Sequence, residues 1–519
     1  MRKIALLLVL TLLLTACASG QAYIPTGDGL ADVTRPSDAP TEPALTAPGG
    51  LHTAESGFTL AYNPKADFNP YNCTDINNRM MFSLLYQSLF VTDSTYKVEP
   101  QLCQSFTVDE ELTTYIFTLE PATFSDGTEL TALDVVESLK TAADTDYYEG
   151  RFEHIRKISE EEGNRVKITT DTPMENLPLL LDIPIVRYGQ SGEERPQGTG
   201  PYVLASGNGG PELRRRDNWW CDVQVPLKAP TIQLFAGENP TKIRDEFEFG
   251  NLGVATADPG ASSYAAYRCD YELWDAESGI FLYLGCNMES EVFSDSSVRS
   301  ALTFAIDRHK LAPFYRGFAR PTTLPASPLS PYYSPGLASR YEHNPALFAQ
   351  AVISAQMAGR EVTLLVNKDD IFRVQAGRAI ADMLTECGLT VVMSELDTTA
   401  YRRALRNGKY DLYLGQTKLS PNMDLTTFFH NEGDIHYGGI NDVTLNALCQ
   451  EALANQGNYY NLHQQVSGDG RITSIAFLNY AVYADRGLMS NMLPARDNIF
   501  YYDLGKSLDD VLRVDSFTP

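Results

Sequence analysis

The sequence predicts an α/β protein with more than one lobe. The chain has 519 residues, of which 43% are hydrophobic, and this is enough apolar material for a large core. Strand-like and helix-like segments alternate along it, and the regular alternation over 347–414 is typical of a doubly wound parallel sheet. Five prolines within Pro321–Pro335 predict an irregular crossing loop ahead of that unit.

The first 17 residues resemble a lipoprotein export signal. Arg2-Lys3 is a positively charged n-region, and the apolar run Ile4–Leu14, with 11 residues, is too short to span a bilayer. Leu14-Thr15-Ala16-Cys17 then resembles the bacterial lipobox, in which the cysteine becomes the lipidated first residue. An ordinary signal peptide followed by a chance cysteine is the alternative. We expect residues 1–16 to be removed and Cys17 to anchor the chain in the cell membrane, on the extracytoplasmic face (periplasm or cell surface).

Composition limits the partners and the thiol chemistry. Residues 17–50 carry five prolines among small and polar residues, which predicts a flexible tether. The formal charge of −25 leaves no basic excess to neutralise phosphates, so a nucleic-acid partner is excluded. Eight cysteines are present, and the seven that remain after Cys17 cannot all pair. Their scattered spacing favours buried free thiols, although export would permit disulfides.

Periodicity places strands and helices in the first half of the chain. The predicted strands are Phe58–Tyr62, Leu102–Phe106, Tyr115–Leu119, Arg165–Thr169, Tyr202–Ala205, Leu213–Arg216 and Ile280–Asn287, and the predicted helices are Arg79–Leu89 and one that begins near Thr131. In the second of these helices, Thr131 and Asp134 have the spacing of a capping box. Leu133, Val136 and Leu139 then give it one apolar face.

The second half is predicted in the same way. Its expected helices are Ser297–Leu311, 347–357, 373–387 and 398–407, and its expected strands are 361–366, 389–395, 410–414 and parts of the aromatic-rich stretch 475–502.

Motifs of catalysis are missing from the sequence, which contains no GxSxG, HExxH or Walker A pattern. One Ser-x-x-Lys, Ser94–Lys97, lacks the companion motifs of acyl-transfer enzymes. Two histidines and two acids fall within seven residues, and such side chains are ligands for metals: His430, Glu432, Asp434 and His436. A polar loop after Leu425–Phe429 is the preferred interpretation of this stretch. The sequence therefore predicts no enzymatic activity and neither a cofactor nor a metal.

An ordered set of motifs carries a family resemblance. The motifs are Phe68-Asn69-Pro70, Pro100-Gln101-Leu102, Phe124–Val135 (FSDGTELTALDV), Gly198–Tyr202 (GTGPY) and Asp295–Leu311 (DSSVRSALTFAIDRHKL). In sequence and order they resemble those of the family 5 extracellular solute-binding proteins, the peptide- and nickel-binding proteins of ABC importers.

The resemblance implies a two-lobed periplasmic-binding-protein-like fold (type II, cluster C) with an extra domain in lobe I. Lobe I would comprise 51–90, 187–286 and 476–519, the extra domain 91–186, and lobe II 287–475, with crossings near Cys286-Asn287 and 475. We keep these three names for these segments of the chain.

The resemblance also implies a function. The protein would be the substrate-binding lipoprotein of an ABC importer, a monomer that closes over a peptide or peptide-like solute and delivers it to the permease and ATPase complex. A non-peptide solute, such as a metal complex or an oligosaccharide, is one alternative. A ligand-sensing receptor lipoprotein without transport is another.

One departure from the family pattern concerns the ligand. Dipeptide binders of the family carry Gly-Trp-Thr-(Gly/Ala)-Asp after the strand that corresponds to 410–414. The Asp of that run pairs with the α-amine of the peptide. The run Gly415–Leu419 places Gln416 and Leu419 at the Trp and Asp positions, and Asp424 matches a later acid. Lys418 would favour an anionic group if it faces the cleft. By family position the ligand-lining candidates are Tyr71, Asn72, Asn287, Gln416, Thr417 and Asp424, each with a structural role as its alternative.

Overall fold

The structure is a computed structural model that describes residues 59–222, 229–261, 263–485, 493–496 and 498–500. The predicted leader, Cys17, the tether over 17–50 and the residues beyond 500 lie outside the described ranges, as does Phe58 of the first predicted strand. No helix in the described ranges has the length and apolar character needed to cross a membrane.

Strands and helices alternate in the order expected of an α/β chain. The strands are β1 (Thr59–Tyr62), β2 (Phe90–Thr92), β3 (Val98–Pro100), β4 (Cys103–Val108), β5 (Thr114–Leu119), β6 (Ile155–Glu161), β7 (Arg165–Thr170), β8 (Tyr202–Gly207), β9 (Gly210–Arg215), β10 (Thr231–Ala236), β11 (Val254–Ala257), β12 (Glu272–Cys286), β13 (Ala319–Pro321), β14 (Glu361–Asn367), β15 (Thr390–Leu396), β16 (Leu412–Lys418) and β17 (Ile472–Ala484).

The helices of the described ranges fall between these strands along the sequence. They are α1 (Ile76–Met80), α2 (Phe82–Leu85), α3 (Ala132–Ala143), α4 (Pro240–Glu248), α5 (Ser296–Ala305), α6 (Arg308–Leu311), α7 (Pro335–Ala338), α8 (Pro345–Ser354), α9 (Ile371–Glu386), α10 (Thr398–Arg406), α11 (Thr426–Phe429), α12 (Val443–Ala454) and α13 (Tyr459–Asp469). Short 3-10 turns occupy Glu149–Arg151, Leu177–Leu180, Ala312–Tyr315, Ser339–Tyr341, Tyr437–Gly439 and Gln456–Asn458.

One eleven-stranded sheet runs through the described parts of both lobes. Its order is β15-β14-β16-β12-β17-β11-β1-β10-β9-β8, with β13 paired to β17. β14 is parallel to β15 and β16, which confirms the predicted strand–helix alternation over 347–414. This parallel part ends at β16, because β12 pairs antiparallel with both β16 and β17. A second parallel part joins β1 to β10 and β11.

The extra domain has a separate four-stranded antiparallel sheet of order β4-β5-β7-β6, with α3 packed beside it. The capping box at the start of α3 is formed as predicted, because Asp134 Oδ2 accepts a hydrogen bond from the Thr131 backbone N–H at 2.7 Å. The predicted apolar face is only partly right. Leu133 is 41% exposed, whereas Val135, Val136 and Leu139 are buried.

β12 and β17 pass from the core of lobe I to that of lobe II. Ala276 and Val482 belong to the first core, while Leu282 and Ala476 belong to the second. Between them, β12 has a register break after Glu277, and Gly279 in the break has φ +72°. A bulge of this kind bends a strand and raises its local twist. On β12 the crossing from one core to the other therefore comes before Cys286-Asn287, where the crossing was predicted. The domain boundaries themselves remain predictions.

Two predicted helices are interrupted. Arg79–Leu89 is instead α1 and α2, and Tyr86 is already extended (φ −127°, ψ 149°) because Leu85 O accepts from the Gly200 N–H at 3.0 Å. Ser297–Leu311 is likewise broken into α5 and α6. Asp307 caps the second piece by accepting from the Lys310 N–H.

Candidate functional site

A cavity of about 80 Å³ opens between the extra domain and lobe I, to which Arg496 and Asn498 belong. This volume is smaller than that of typical small-molecule sites, about 300–1,000 Å³. The described lining combines aromatic rings, amides, hydroxyls and three arginines: Arg79, Phe82, Ser83, Tyr86, Gln87, Ser88, Val91, Thr92, Gln101, Tyr147, Tyr148, Arg151, Asp182, Pro184, Arg496 and Asn498.

Two tyrosines after α3 organise the cationic side of the cavity. The guanidinium carbon of Arg79 lies 3.3 Å from the ring centroid of Tyr147, and Arg79 also donates to the Tyr148 hydroxyl at 3.1 Å. Arg151 lies 5.2 Å from the Tyr148 ring and forms an ion pair with Asp182. Cations over aromatic faces are stabilised by the ring quadrupole, so these contacts hold the two rings and the two arginines in one arrangement.

Lobe II reaches the cavity through the end of β16 and the residues that follow it. Lys418 Nζ lies 3.8 Å from the Tyr147 ring centroid, and Ser420 Oγ donates to Gly150 O at 2.6 Å. Leu419 O accepts from Arg496. Of these partners, Tyr147 and Arg496 line the cavity, so lobe II contacts its wall, and the cavity lies beside the cleft between the lobes.

The second interlobe contact is an ion pair. His154 of the extra domain lies 3.0 Å from Asp424 Oδ2 of lobe II and 3.1 Å from Thr426 Oγ1, measured from Nε2. Burial lowers the pKa of His154, but the hydrogen bond and charge of Asp424, with Asp171 and Glu153, outweigh it and raise that pKa to about 9. Burial raises the pKa of Asp424, but bonding to His154 and Thr426 holds it below its usual range.

The candidates of the first loop and the crossover have structural contacts. Tyr71 is buried and donates to Pro184 O at 2.8 Å, whereas Asn72 is exposed. Asn287 is 6% exposed, and its amide donates to Gly408 O at 3.0 Å and Tyr410 O at 2.8 Å. These bonds fix β12 against the neighbouring loop of lobe II.

The candidates of lobe II are on β16 and in the segment that follows it. Gln416 is exposed and Thr417 half-buried on β16, where they pair with Leu282 and Phe281. Asp424 is 8% exposed, and both of its oxygens are engaged by Thr426 or His154. Of the six predicted ligand residues, none is among the described residues that line the cavity.

The possible metal ligands do not converge. Across the described part of the chain, no group of three or more His, Cys, Asp or Glu side chains is placed to hold an ion. His430 Nδ1 instead accepts from the Glu432 N–H at 3.2 Å, and His436 Nδ1 contacts Gly433 O. These are local contacts of a polar loop. The seven described cysteines are all unpaired, as predicted, and Cys269 is the one that is half-buried.

Sequence reasoning missed the residues that shape the cleft, above all Tyr147, Tyr148, Arg151, His154 and Arg496. They lie in loops or, for Arg151, in a short 3-10 turn, and they belong to none of the family motifs. The available signal was the adjacent Tyr147-Tyr148 pair in a polar stretch, because exposed aromatics with a polar tip are frequent in binding sites.

Two lobes joined by shared strands around a cleft define a class of protein that binds solutes. Residues 97–434, more than half of the chain, match the family described as bacterial extracellular solute-binding proteins, family 5 Middle. The chain therefore belongs to the family 5 extracellular solute-binding proteins, whose members serve transporters as substrate-binding proteins.

Known relatives agree with this assignment. The glutathione-binding protein GsiB of Salmonella typhimurium is 26% identical over 298 residues, which are 54% of this chain and 56% of GsiB. The chain thus spans about half the length of the relatives it matches.

Solved structures confirm the predicted two-lobed fold. The ABC transporter substrate binding protein CtaP from Listeria monocytogenes matches with a TM-score of 0.69 and 17% identity, over 87% of this chain and 99% of CtaP. NikA from Brucella suis, in complex with Fe(III)-EDTA, matches with a TM-score of 0.64 and 17% identity, over 83% of this chain and 96% of NikA.

Proposed function

We propose that this protein is the solute-capturing lipoprotein of an ABC importer, anchored to the cell membrane through Cys17. It binds a peptide or peptide-like solute in the cleft and delivers it to the permease. The observation that carries the proposal is the cavity between lobe I and the extra domain, with Lys418 of lobe II lying against the ring of its lining residue Tyr147. A ligand that contacted both this lining and Lys418 would favour the closed form.

The lining suits a small peptide. Gln87, Gln101 and Ser88 offer amide and hydroxyl groups that pair with a peptide backbone, and Tyr147 and Phe82 offer apolar faces. The similarity to a glutathione-binding protein supports a small peptide that carries carboxylates. Arg79 and Arg151 in the lining, with Lys418 beside it, supply the positive potential that such groups prefer.

A non-peptide anionic solute is the second candidate, and a specific observation favours it. Gln416 and Leu419 stand at the positions of the family's stacking Trp and amine-binding Asp, and Asp424 is engaged by His154. Asp182, the acid among the described lining residues, pairs with Arg151. A solute without a free amine, such as the carboxylate complex held by NikA, would need no acidic side chain in the cleft to pair with an amine.

Native mass spectrometry of the purified protein, followed by denaturation, tests the proposal and separates the candidates. A peptide or a mixed peptide population released from the protein supports peptide capture. One non-peptide species supports the second candidate. Protein that carries no solute, and that no member of a panel of peptides, carboxylates and metal chelates stabilises thermally, contradicts solute capture.

A further inference from the structure

The extra domain is joined to lobe II by hydrogen bonds that lie away from the shared strands. Besides Ser420 to Gly150, the Glu175 N–H donates to Leu453 O at 2.8 Å, and Asn176 donates to the Tyr332 hydroxyl at 2.7 Å. Among these contacts the pair of His154 and Asp424 is distinct, because it joins two groups that carry opposite charge when His154 is protonated.

The geometry around His154 favours its protonated form. Nε2 faces Asp424 at 3.0 Å, while Nδ1 lies 3.4 Å from Asp171 Oδ1. A neutral imidazole has one N–H and cannot offer a proton to both carboxylates, whereas the imidazolium has two. The side chain of His154 is 10% exposed and that of Asp424 is 6% exposed, so solvent screens the pair weakly.

We propose that His154 and Asp424 form a proton-dependent latch that holds the extra domain against lobe II while His154 is protonated. The loss of that proton removes the attraction and leaves Asp424 and Asp171 facing a neutral ring. The open form of the cleft then gains population. The consequence for solute retention rests on the proposed function, but the latch itself does not.

Titratable groups from several neighbouring elements surround the pair of His154 and Asp424. Those that face His154 itself are Asp424, Asp171 and Glu153. Further groups act on these partners: Arg156 on Asp171, His430 and Asp434 on Glu153, and Cys449 and Tyr459 beside Asp424. The groups that face the ring are acidic, and this favours its protonated form.

The direction of the pH effect follows from linkage. The pKa of His154 is raised to about 9 in the latched form, while an unpaired histidine titrates near 6.5. The contribution of the latch is therefore fully present below about pH 6.5 and is lost as the pH rises through about 9. Within that window the ratio of closed to open protein should fall by up to about tenfold per pH unit.

Two measurements on the full-length, solute-free protein test the latch. Histidine resonances followed by NMR should show His154, assigned by its loss in His154→Gln, titrating near pH 9. In Asp424→Asn the same group should titrate at least about two units lower. Small-angle X-ray scattering between pH 6 and 10 should show the radius of gyration of the wild type increasing above pH 8. His154→Gln should already have the larger radius at pH 6 and change little with pH. His309→Gln, which changes an exposed histidine, should behave as the wild type.

Several outcomes overturn the proposal. One is a wild-type radius that does not change with pH, and another is a pH response that persists in His154→Gln. A third is a His154 pKa near 6.5 in the wild type. Circular dichroism identifies a variant that fails to fold, and in that case Asp424→Asn supplies the scattering comparison. Because no solute is used, a failure of the latch is distinguishable from a failure of solute capture.

Discussion

The Nε–H of Arg308 donates to Ser474 O at 2.8 Å and so joins the start of α6 to β17. The same guanidinium donates to Thr303 O and Ile306 O, both at 3.2 Å. Because α5 ends at Ala305, these two carbonyl oxygens have no donor from a following helical turn. Burial lowers the pKa of Arg308 to about 10, so it remains charged at neutral pH. Arg308 lies within the family motif Asp295–Leu311, and its contacts explain its place in that motif by folding rather than by ligand binding.

Arg308→Met should destabilise the protein by about 3 kcal/mol, because it leaves buried carbonyl oxygens without donors. Urea unfolding of the wild type and the variant measures the difference. Arg340→Met, a change of an exposed arginine, is the matched control and should shift stability little. Equal effects of the two substitutions would contradict this role for Arg308.

His463 gives a stability change of the opposite sign to that of His154. It is fully buried on α13, and burial lowers its pKa to about 3. The unfolded chain binds this proton below about pH 6.5 and the folded chain does not, so stability is lost as the pH falls below that value. This group should make the protein about 2 kcal/mol less stable at pH 5 than at pH 7.

His463→Leu should remove that part of the pH dependence. The measurement is the change in unfolding free energy between pH 5 and pH 7, compared between the variant and the wild type. A control variant, His343→Leu, changes an exposed histidine and should keep the wild-type slope. An unchanged slope in His463→Leu would show that the buried ring is not the group responsible.

Gly279 in the β12 bulge has two requirements that an alanine would violate. Its φ is +72°, and a Cβ would lie 2.3 Å from the guanidinium carbon of Arg496. Gly127 shares the positive φ, at +87°, but a Cβ there meets nothing within 4 Å. Gly127→Ala should therefore cost about 1 kcal/mol from backbone strain alone. Gly279→Ala should cost about 1 kcal/mol more than that, because the Cβ displaces the end of the Arg496 side chain from its hydrogen bond to Leu419 O. Chemical denaturation of both variants tests this, and a Gly279→Ala variant no less stable than Gly127→Ala would refute the packing argument.

Local patterns predicted most of the elements. The Thr131–Asp134 capping box and the alternation over 347–414 are set by short-range chemistry, and both are formed. The apolar face of α3 was misplaced at Leu133, since a spacing of three drifts from the 3.6-residue period and Val135 is buried instead.

Contacts between distant segments could not be predicted. The helix expected over Arg79–Leu89 stops where the Leu85 carbonyl bonds to Gly200, a residue far along the chain. The ion pair of His154 with Asp424 joins positions 270 residues apart. Nothing in the sequence around either residue indicates the other as its partner. The ordered family motifs were sufficient to predict the fold. Most of the side chains that shape the cleft lie in loops, whose sequences have no periodic pattern from which their positions could be predicted.

The central claim is that the cleft beside Tyr147 holds the solute, and titration calorimetry with the solute released from the wild type tests it most directly. Tyr147→Ala removes the half-buried ring that Arg79 and Lys418 both approach, and aromatic side chains at the centre of a binding site contribute about 2 kcal/mol or more. We predict an affinity at least about 30-fold weaker for Tyr147→Ala and an unchanged affinity for Tyr188→Ala, whose side chain is 57% exposed. Equal affinity of Tyr147→Ala and the wild type would contradict binding in this cleft.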